Sequence, residues 1–319
     1  MLAVACQLEM IQHFDQVTSD WLTEVTGDRV VAFSMQFDES NWARHARISV
    51  TFQDDTSRKL WLKICLHPQS GRSEVDYYLR DYVNLPGAPL VKCHDAVYEP
   101  GVGYHILLDD LSDHFHDHKE VPPTLEHGLA VAEGLAQLHA HHWETGPAKE
   151  PGNWELEFAN LRFGTTNLER ATGKAFANRF TMLQKELAVR WSDPRGMTLL
   201  HGDANPTNVL TPKIADTPVY FLDRQPLDGI TPYGLAVYDL AYAIAPWWNR
   251  ELRLEHERAI LRHWFESLSR PGYSWERAQA DWTLSVEHCL FVPANWCIDP
   301  TECDSMRWLW GWQLENLDG

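Results

Sequence analysis

The stretch His201-Gly202-Asp203-Ala204-Asn205-Pro206-Thr207-Asn208 carries more chemistry than any other in this chain. A carboxylate at Asp203 is followed five residues later by an amide at Asn208, and a second carboxylate, Asp223, closes the short apolar run Val219-Tyr220-Phe221-Leu222. Phosphoryl transfer uses this set of parts. One carboxylate orients an attacking hydroxyl and accepts its proton, while an amide oxygen and another carboxylate hold Mg²⁺ against nucleotide phosphates.

The elements that must position these groups follow from periodicity. Leu8 to Val25 repeats apolar residues at near-helical spacing, and Gly27 is placed to end that helix. Alternating, β-branched runs at 30–33, 46–52 and 60–66 predict strands, the last two joined as a hairpin by Asp54-Asp55-Thr56-Ser57. A helix is predicted over 73–82, stopped by Pro86-Gly87, with further strands at 92–98 and 104–108. Helical spacing then governs 125–143, 175–191 and everything beyond Tyr238. These expectations give an α+β fold: a β-rich unit at 1–108 and a larger, mostly helical unit at 109–319.

With these motifs in place, the chain resembles the aminoglycoside phosphotransferase and choline kinase-like superfamily of small-molecule kinases, including its ecdysteroid-kinase-like branch. That superfamily carries a His-Gly-Asp-x-x-x-x-Asn loop, a short strand ending in Asp, and an Asp-Leu-Ala near a helix start, here Asp239-Leu240-Ala241. Leu138-His139-Ala140 with Trp143, and Leu107-Leu108-Asp109-Asp110-Leu111, match as well, and the resemblance spans about residues 30 to 250. It implies a protein-kinase-like two-lobe fold and ATP-dependent phosphorylation of a small-molecule hydroxyl. Asp203 would be the base, Asn208 and Asp223 the Mg²⁺ ligands, and Asp239 and His201 braces of the catalytic loop. Asp109 to Leu111 would be the strap on which adenine docks. Lys63, inside Leu60-Trp61-Leu62-Lys63-Ile64-Cys65, would contact the ATP phosphates, paired with Glu74 on the following helix. A lysine among buried neighbours needs such a partner, unless it lies on an edge strand facing water.

Two departures from the family pattern stand out. Asp38 to Arg47, where a phosphate-cradling loop is expected, contains no glycine, leaving Ser40, Asn41, Arg44 or Arg47 as alternatives for gripping phosphate. Arg224 follows the metal-binding Asp223, where relatives often carry an aromatic residue, and could compete for that carboxylate. Both leave open a rival reading, a catalytically impaired nucleotide-binding or ligand-sensing module. A protein acceptor is disfavoured, because only 16 positions separate Asp223 from Asp239 and no Ala-Pro-Glu follows.

Composition narrows the partners. Across 319 residues, 27 Lys and Arg face 45 Asp and Glu, a formal charge of −18 that argues against nucleic acid and against a polybasic membrane clamp. The apolar start Met1 to Cys6 is too short to span a bilayer. Six scattered cysteines fit reduced thiols in a cytoplasm, although Cys297 and Cys303 are near enough in sequence to bridge. His114-Phe115-His116-Asp117-His118 lacks the tight spacing of a structural zinc site and reads as a polar loop. The tryptophan-rich last third reads mainly as helix packing, with some indoles available to wall an acceptor pocket.

Overall fold

The structure, a computed structural model, describes residues 9–39, 43–67, 71–117, 120–145, 158–214, 217–224 and 233–318. The chain forms two compact units, one of Met1–Asp117 with Pro212–Gly229, the other of His118–Thr211 with Ile230–Gly319. The first unit therefore extends past the 108/109 boundary and reclaims a later segment, the one that carries Asp223.

Five antiparallel strands build the first unit: β1 (Val30–Glu39), β2 (Arg44–Phe52), β3 (Ser57–Cys65), β4 (Cys93–Glu99) and β5 (Gly103–Asp109), in the order β1-β2-β3-β5-β4. Asp54 sets the β2–β3 turn by accepting from the Thr56 amide at 3.1 Å. Successive side chains on a strand face opposite ways. Leu60, Leu62 and Ile64 therefore join Leu107, Ile48, Val50 and Leu22 in one buried cluster, while Trp61, Lys63 and Cys65 share the other face. That alternation brings a charged residue into the sheet without breaching its core.

Helix α1 (Ser19–Thr26) starts where the Thr18 hydroxyl accepts from the Trp21 amide, and ends at Gly27 with φ 78°. The helix expected over 8–25 is thus cut short. Leu8 lies outside the described residues, and Ile11 is buried in non-helical chain with its amide on His105 Nδ1 at 3.0 Å. Helix α2 (Ser73–Asp76) continues as a π-helical turn over Tyr77–Asp81. The loop expected at 38–47 is mostly strand: pairing runs from Gln36–Arg47 to Glu39–Arg44, and Ser40 and Asn41 lie outside the described residues.

The second unit packs helices. Its described helices are α3 (Leu125–His141), α4 (Leu161–Thr172), α5 (Ala177–Trp191), α6 (Val237–Ile244), α7 (Arg250–Leu268), α8 (Trp275–His288), α9 (Phe291–Trp296), α10 (Pro300–Ser305) and α11 (Arg307–Asp318). α3 lies close along α7: a Cβ added at Gly128 would stand 2.4 Å from the Ile260 side chain. Met197–Leu199 and Tyr233–Leu235 form a small antiparallel ribbon. Cys297 and Cys303 are both buried, their sulfurs 2.7 Å apart. Among the described residues no helix is long and apolar enough to cross a membrane.

Leu62 is 0% exposed at the centre of the sheet. Leu62→Ala should lower unfolding stability by about 2–5 kcal/mol, whereas Val31→Ala, on the exposed face, should change it by less than about 0.5 kcal/mol. Urea melts of the two variants check this; equal losses would contradict the assignment of the buried face.

Candidate active site

Lys63 lies in the first unit with its side chain 8% exposed. Its Nζ donates to both Glu74 oxygens, at 3.0 and 2.9 Å, and to Asp223 Oδ1 at 2.9 Å. Burial alone would discourage the ammonium, but Asp223 and Glu74 outweigh it and hold the lysine protonated, above its ordinary range. Burial also pushes the Glu74 carboxyl up, to about 7, against the pull of Lys63. Asp223 is more open, 38% exposed along its side chain; despite partial burial, Lys63 keeps its carboxyl below the usual value. Tyr104, on the Lys63 face of β5, donates a short hydrogen bond to Glu74 Oε2. No sequence motif marks Tyr104; only strand alternation across the β3–β5 pair, with Tyr104 opposite Cys65, could have placed it.

Asp223 follows the short strand Tyr220–Phe221 and has φ 54°, an uncommon left-handed conformation for a residue with a side chain. Arg224 does not compete for Asp223. It is 1% exposed and donates from Nη1 to Asp81 Oδ2 at 2.5 Å, with its guanidinium over the Tyr77 ring at 5.8 Å. The pair fastens the Asp223 segment to the helical turn that continues α2, which carries Glu74. Gln225 lies outside the described residues.

At the strap, Asp109 accepts from His94 Nε2 at 2.7 Å when that nitrogen carries the proton. Its amide donates to Lys92 O and that of Asp110 to Lys59 O, so both of these donors are already committed within the protein. Asp109 and Leu111 line, with Ser49, Lys59 and His114, a cavity of about 420 Å³. Arg44 bonds Gln12 O, and Arg47 bonds Asp110 at 3.3 Å. Among the described residues no three His, Cys, Asp or Glu side chains cluster as a metal site; His118 lies outside them.

In the second unit, Asp239 on α6 accepts from the backbone amides of His201 at 2.7 Å and Gly202 at 2.9 Å, and from His139 Nε2 at 3.1 Å. The Trp264 indole donates to His139 Nδ1, which fixes the proton on Nε2. Against the cost of burial, these contacts keep Asp239 ionised, its carboxyl below the ordinary value. Gly202 holds φ 78°, a bend that favours glycine and turns the chain into the loop.

Asp203 stands in that loop among neutral donors. Asn205 Nδ2 reaches its Oδ1 at 2.9 Å, Tyr242 Oη reaches Oδ1 at 3.1 Å, and Asn208 Nδ2 reaches Oδ2 at 3.1 Å and the Asp203 carbonyl at 2.8 Å. These bonds orient the carboxylate. The Asn208 amide nitrogen is committed to acceptors, so its Oδ1, touched by the Thr207 hydroxyl at 3.3 Å, is the atom suited to a hard cation. Tyr242 stands three residues after Asp239, hence on the same helix face. That spacing was the signal in the sequence for a second contact to the loop. Asn205, which also caps the turn Pro206–Asn208, had no signal beyond its residue type.

Comparison with known proteins follows from this geometry. The model of the phosphotransferase enzyme family matches residues 106–279. No curated protein matches the sequence significantly. Among solved structures, a protein assigned as a fructosamine-3-kinase from Thermobifida fusca YX-ER1 aligns at TM-score 0.54 and 17% identity, covering 95% of this chain and 99% of its own. The APH(2")-IIia structure, with GDP and kanamycin, aligns at TM-score 0.53 and 11% identity, covering 94% and 99%. At such identities the likeness is one of fold, a small-molecule kinase fold of the α+β class with a β-sheet N-terminal region and a helical C-terminal region.

Asp81 also accepts from Arg80 Nε at 2.9 Å, so removing Asp81 strands the buried Arg224 charge, while removing Arg224 leaves Asp81 a partner. Asp81→Leu alone should cost about 3–5 kcal/mol, Arg224→Met alone less, and the double variant less than the sum of the two. Denaturant melts of the four proteins measure the coupling, and strictly additive losses would show that the pair does not act as a unit.

Proposed function

Since the chain belongs to the phosphotransferase enzyme family, we propose that it transfers the γ-phosphoryl group of ATP to a hydroxyl of a small molecule. The observation that carries this reading is Asp203, a carboxylate oriented by Asn205, Asn208 and Tyr242 in the loop that Asp239 braces. A carboxylate fixed in this way is placed to line up an incoming alcohol and take its proton. The neighbour solved with GDP and kanamycin binds a nucleotide and a small polyhydroxylated amine, which is consistent with the same pairing of ligands.

The roles divide by residue. Lys63, anchored by Glu74, neutralises phosphate charge and can exchange Asp223 for a phosphate oxygen. Backbone groups at Asp109 to Leu111 take the adenine. Asn208 and Asp223 would each offer an oxygen to Mg²⁺, whose charge would offset that of the triphosphate. Asp203 lines up the acceptor hydroxyl and takes its proton late, since the phosphoryl group is largely detached from its leaving oxygen in the transition state. Arg224, turned onto Asp81, gives no support to an impaired enzyme.

Asp203→Ala should reduce turnover by about 10²–10⁴-fold while MgATP still binds, measured by transfer from radiolabelled ATP to an acceptor panel and by calorimetry. Undiminished turnover would remove Asp203 from the chemistry. Asp223→Ala should abolish the Mg²⁺-dependent part of nucleotide affinity, and an unchanged calorimetric Kd would remove it from the metal site. MgATP binding with no transfer to any hydroxyl compound would instead identify a non-catalytic module.

A further inference from the structure

The corner where α9 turns into α10 holds two cysteines six positions apart, their sulfurs in contact at 2.7 Å. Cys297 closes the C-terminal end of α9, and Cys303 lies within the short helix α10. Both residues are 0% exposed. Cys93, in the first unit, is placed differently, with its thiol turned to the Asp95 carbonyl at 3.4 Å.

The backbone around the pair is held by bonds that do not involve sulfur. Asp299 caps α10, accepting from the amides of Thr301 at 2.7 Å and Glu302 at 3.2 Å. Asn167 of α4 donates to the Cys297 carbonyl at 2.8 Å and to that of Ile298 at 3.3 Å. The Trp310 indole of α11 donates to the Cys303 carbonyl at 2.6 Å. α4 also lies against the backbone of α9, since a Cβ added at Gly164 would overlap the Ala294 carbonyl oxygen. Helices α4, α9, α10 and α11 therefore meet at this corner, and the two sulfurs sit inside it.

That placement favours one reaction. A disulfide holds its sulfurs about 2.05 Å apart, so bonding asks the pair to close by roughly 0.7 Å. Two thiols fixed side by side act on each other at high effective concentration, which favours ring closure over a lasting mixed disulfide with a small thiol. Little hydrogen bonding is given up, because a thiol is a weak donor.

We propose that Cys297 and Cys303 are a cross-linking site, joined in an intramolecular disulfide by exchange with a low-molecular-weight disulfide, and that the bond staples the corner where α4, α9, α10 and α11 meet. One cysteine thiolate attacks the small disulfide and expels one small thiol. The second attacks the protein sulfur of the mixed disulfide and expels the other. The protein gives up two electrons and two protons, which leave on the two small thiols. The exchange takes place while α10 is open, and once α10 docks the buried bond is shielded from reductants.

Cleavage after glutamate tests the linkage in the full chain, because Glu302 lies between the two cysteines and its cleavage puts them in separate peptides. Samples equilibrated with oxidised glutathione or with dithiothreitol are unfolded in N-ethylmaleimide, digested at acidic pH and weighed by mass spectrometry. The oxidised sample should yield the two peptides joined and unlabelled, and the reduced sample both peptides separate and labelled. Labelling of both cysteines after oxidation, persistent glutathione adducts, or linkage of either to another cysteine would overturn the proposal. Amide hydrogen exchange reads the staple itself: residues 297–305 should exchange at least about tenfold more slowly in the oxidised protein than in the reduced one. Cys303→Ala, which cannot form the bond, should exchange alike with and without oxidant. Equal rates in oxidised and reduced wild type, or a slowing in Cys303→Ala as large as in wild type, would remove the stapling role.

Discussion

Placing the Lys63 ammonium inside a sheet would cost several kcal/mol if nothing opposed its charge, and the arrangement of the first unit follows from opposing it. Glu74 takes two of the ammonium's hydrogen bonds and Asp223 the third. Those partners come from 11 and 160 residues away in sequence, so the sheet, α2 and a segment that returns from beyond the second unit's His201–Asn208 loop must all converge on one atom. Tyr104 completes the set by donating to Glu74. The Arg224–Asp81 pair then secures the same convergence from behind, with the residue after one lysine partner tied to the turn that continues the helix of the other.

The second unit solves a different problem. There two carboxylates are fixed, one chiefly by the backbone and one by side chains. Asp239, fully buried, is the structural anion: it collects two backbone amides and a histidine whose tautomer is fixed by Trp264. Asp203, one residue past those amides, is held by Asn205, Asn208 and Tyr242. Two carboxylates near each other thus have separate duties, set by their environments. One is locked to shape the loop, and the other is oriented by side chains of the loop and of α6. Tyr242 links them, since it stands on the same face of α6 as Asp239 and reaches Asp203.

The sheet was readable because alternation is a strong signal where one face is buried. Leu60, Leu62 and Ile64 face the core and Lys63 faces away, so strand position and lysine orientation came from the same pattern. The helix expected over 8–25 was misread because Ile11 and Val17 are buried in non-helical chain, and burial alone does not specify a helix. The Thr18 cap sets the true start. α4 was not anticipated, since its buried face holds Gly164 and Thr165 beside Leu161 and Leu168, too few apolar residues to show a period. The glycine-free segment was assigned to a loop, although most of it pairs as β1 and β2.

Residue type and spacing alone determined the chemical inventory: Asp203 with Asn208 five positions on, a later Asp223, and a lysine set among apolar strand residues. These survive as local facts because a loop motif or a strand face depends on neighbours close in the chain. Only tertiary structure decided the partners. It turned Arg224 onto Asp81 rather than Asp223, brought Tyr104 to Glu74, and set Tyr242 against Asp203. Such contacts join residues scores of positions apart, and their pairing follows from how folded elements pack and which buried charges must be matched, which no local pattern encodes.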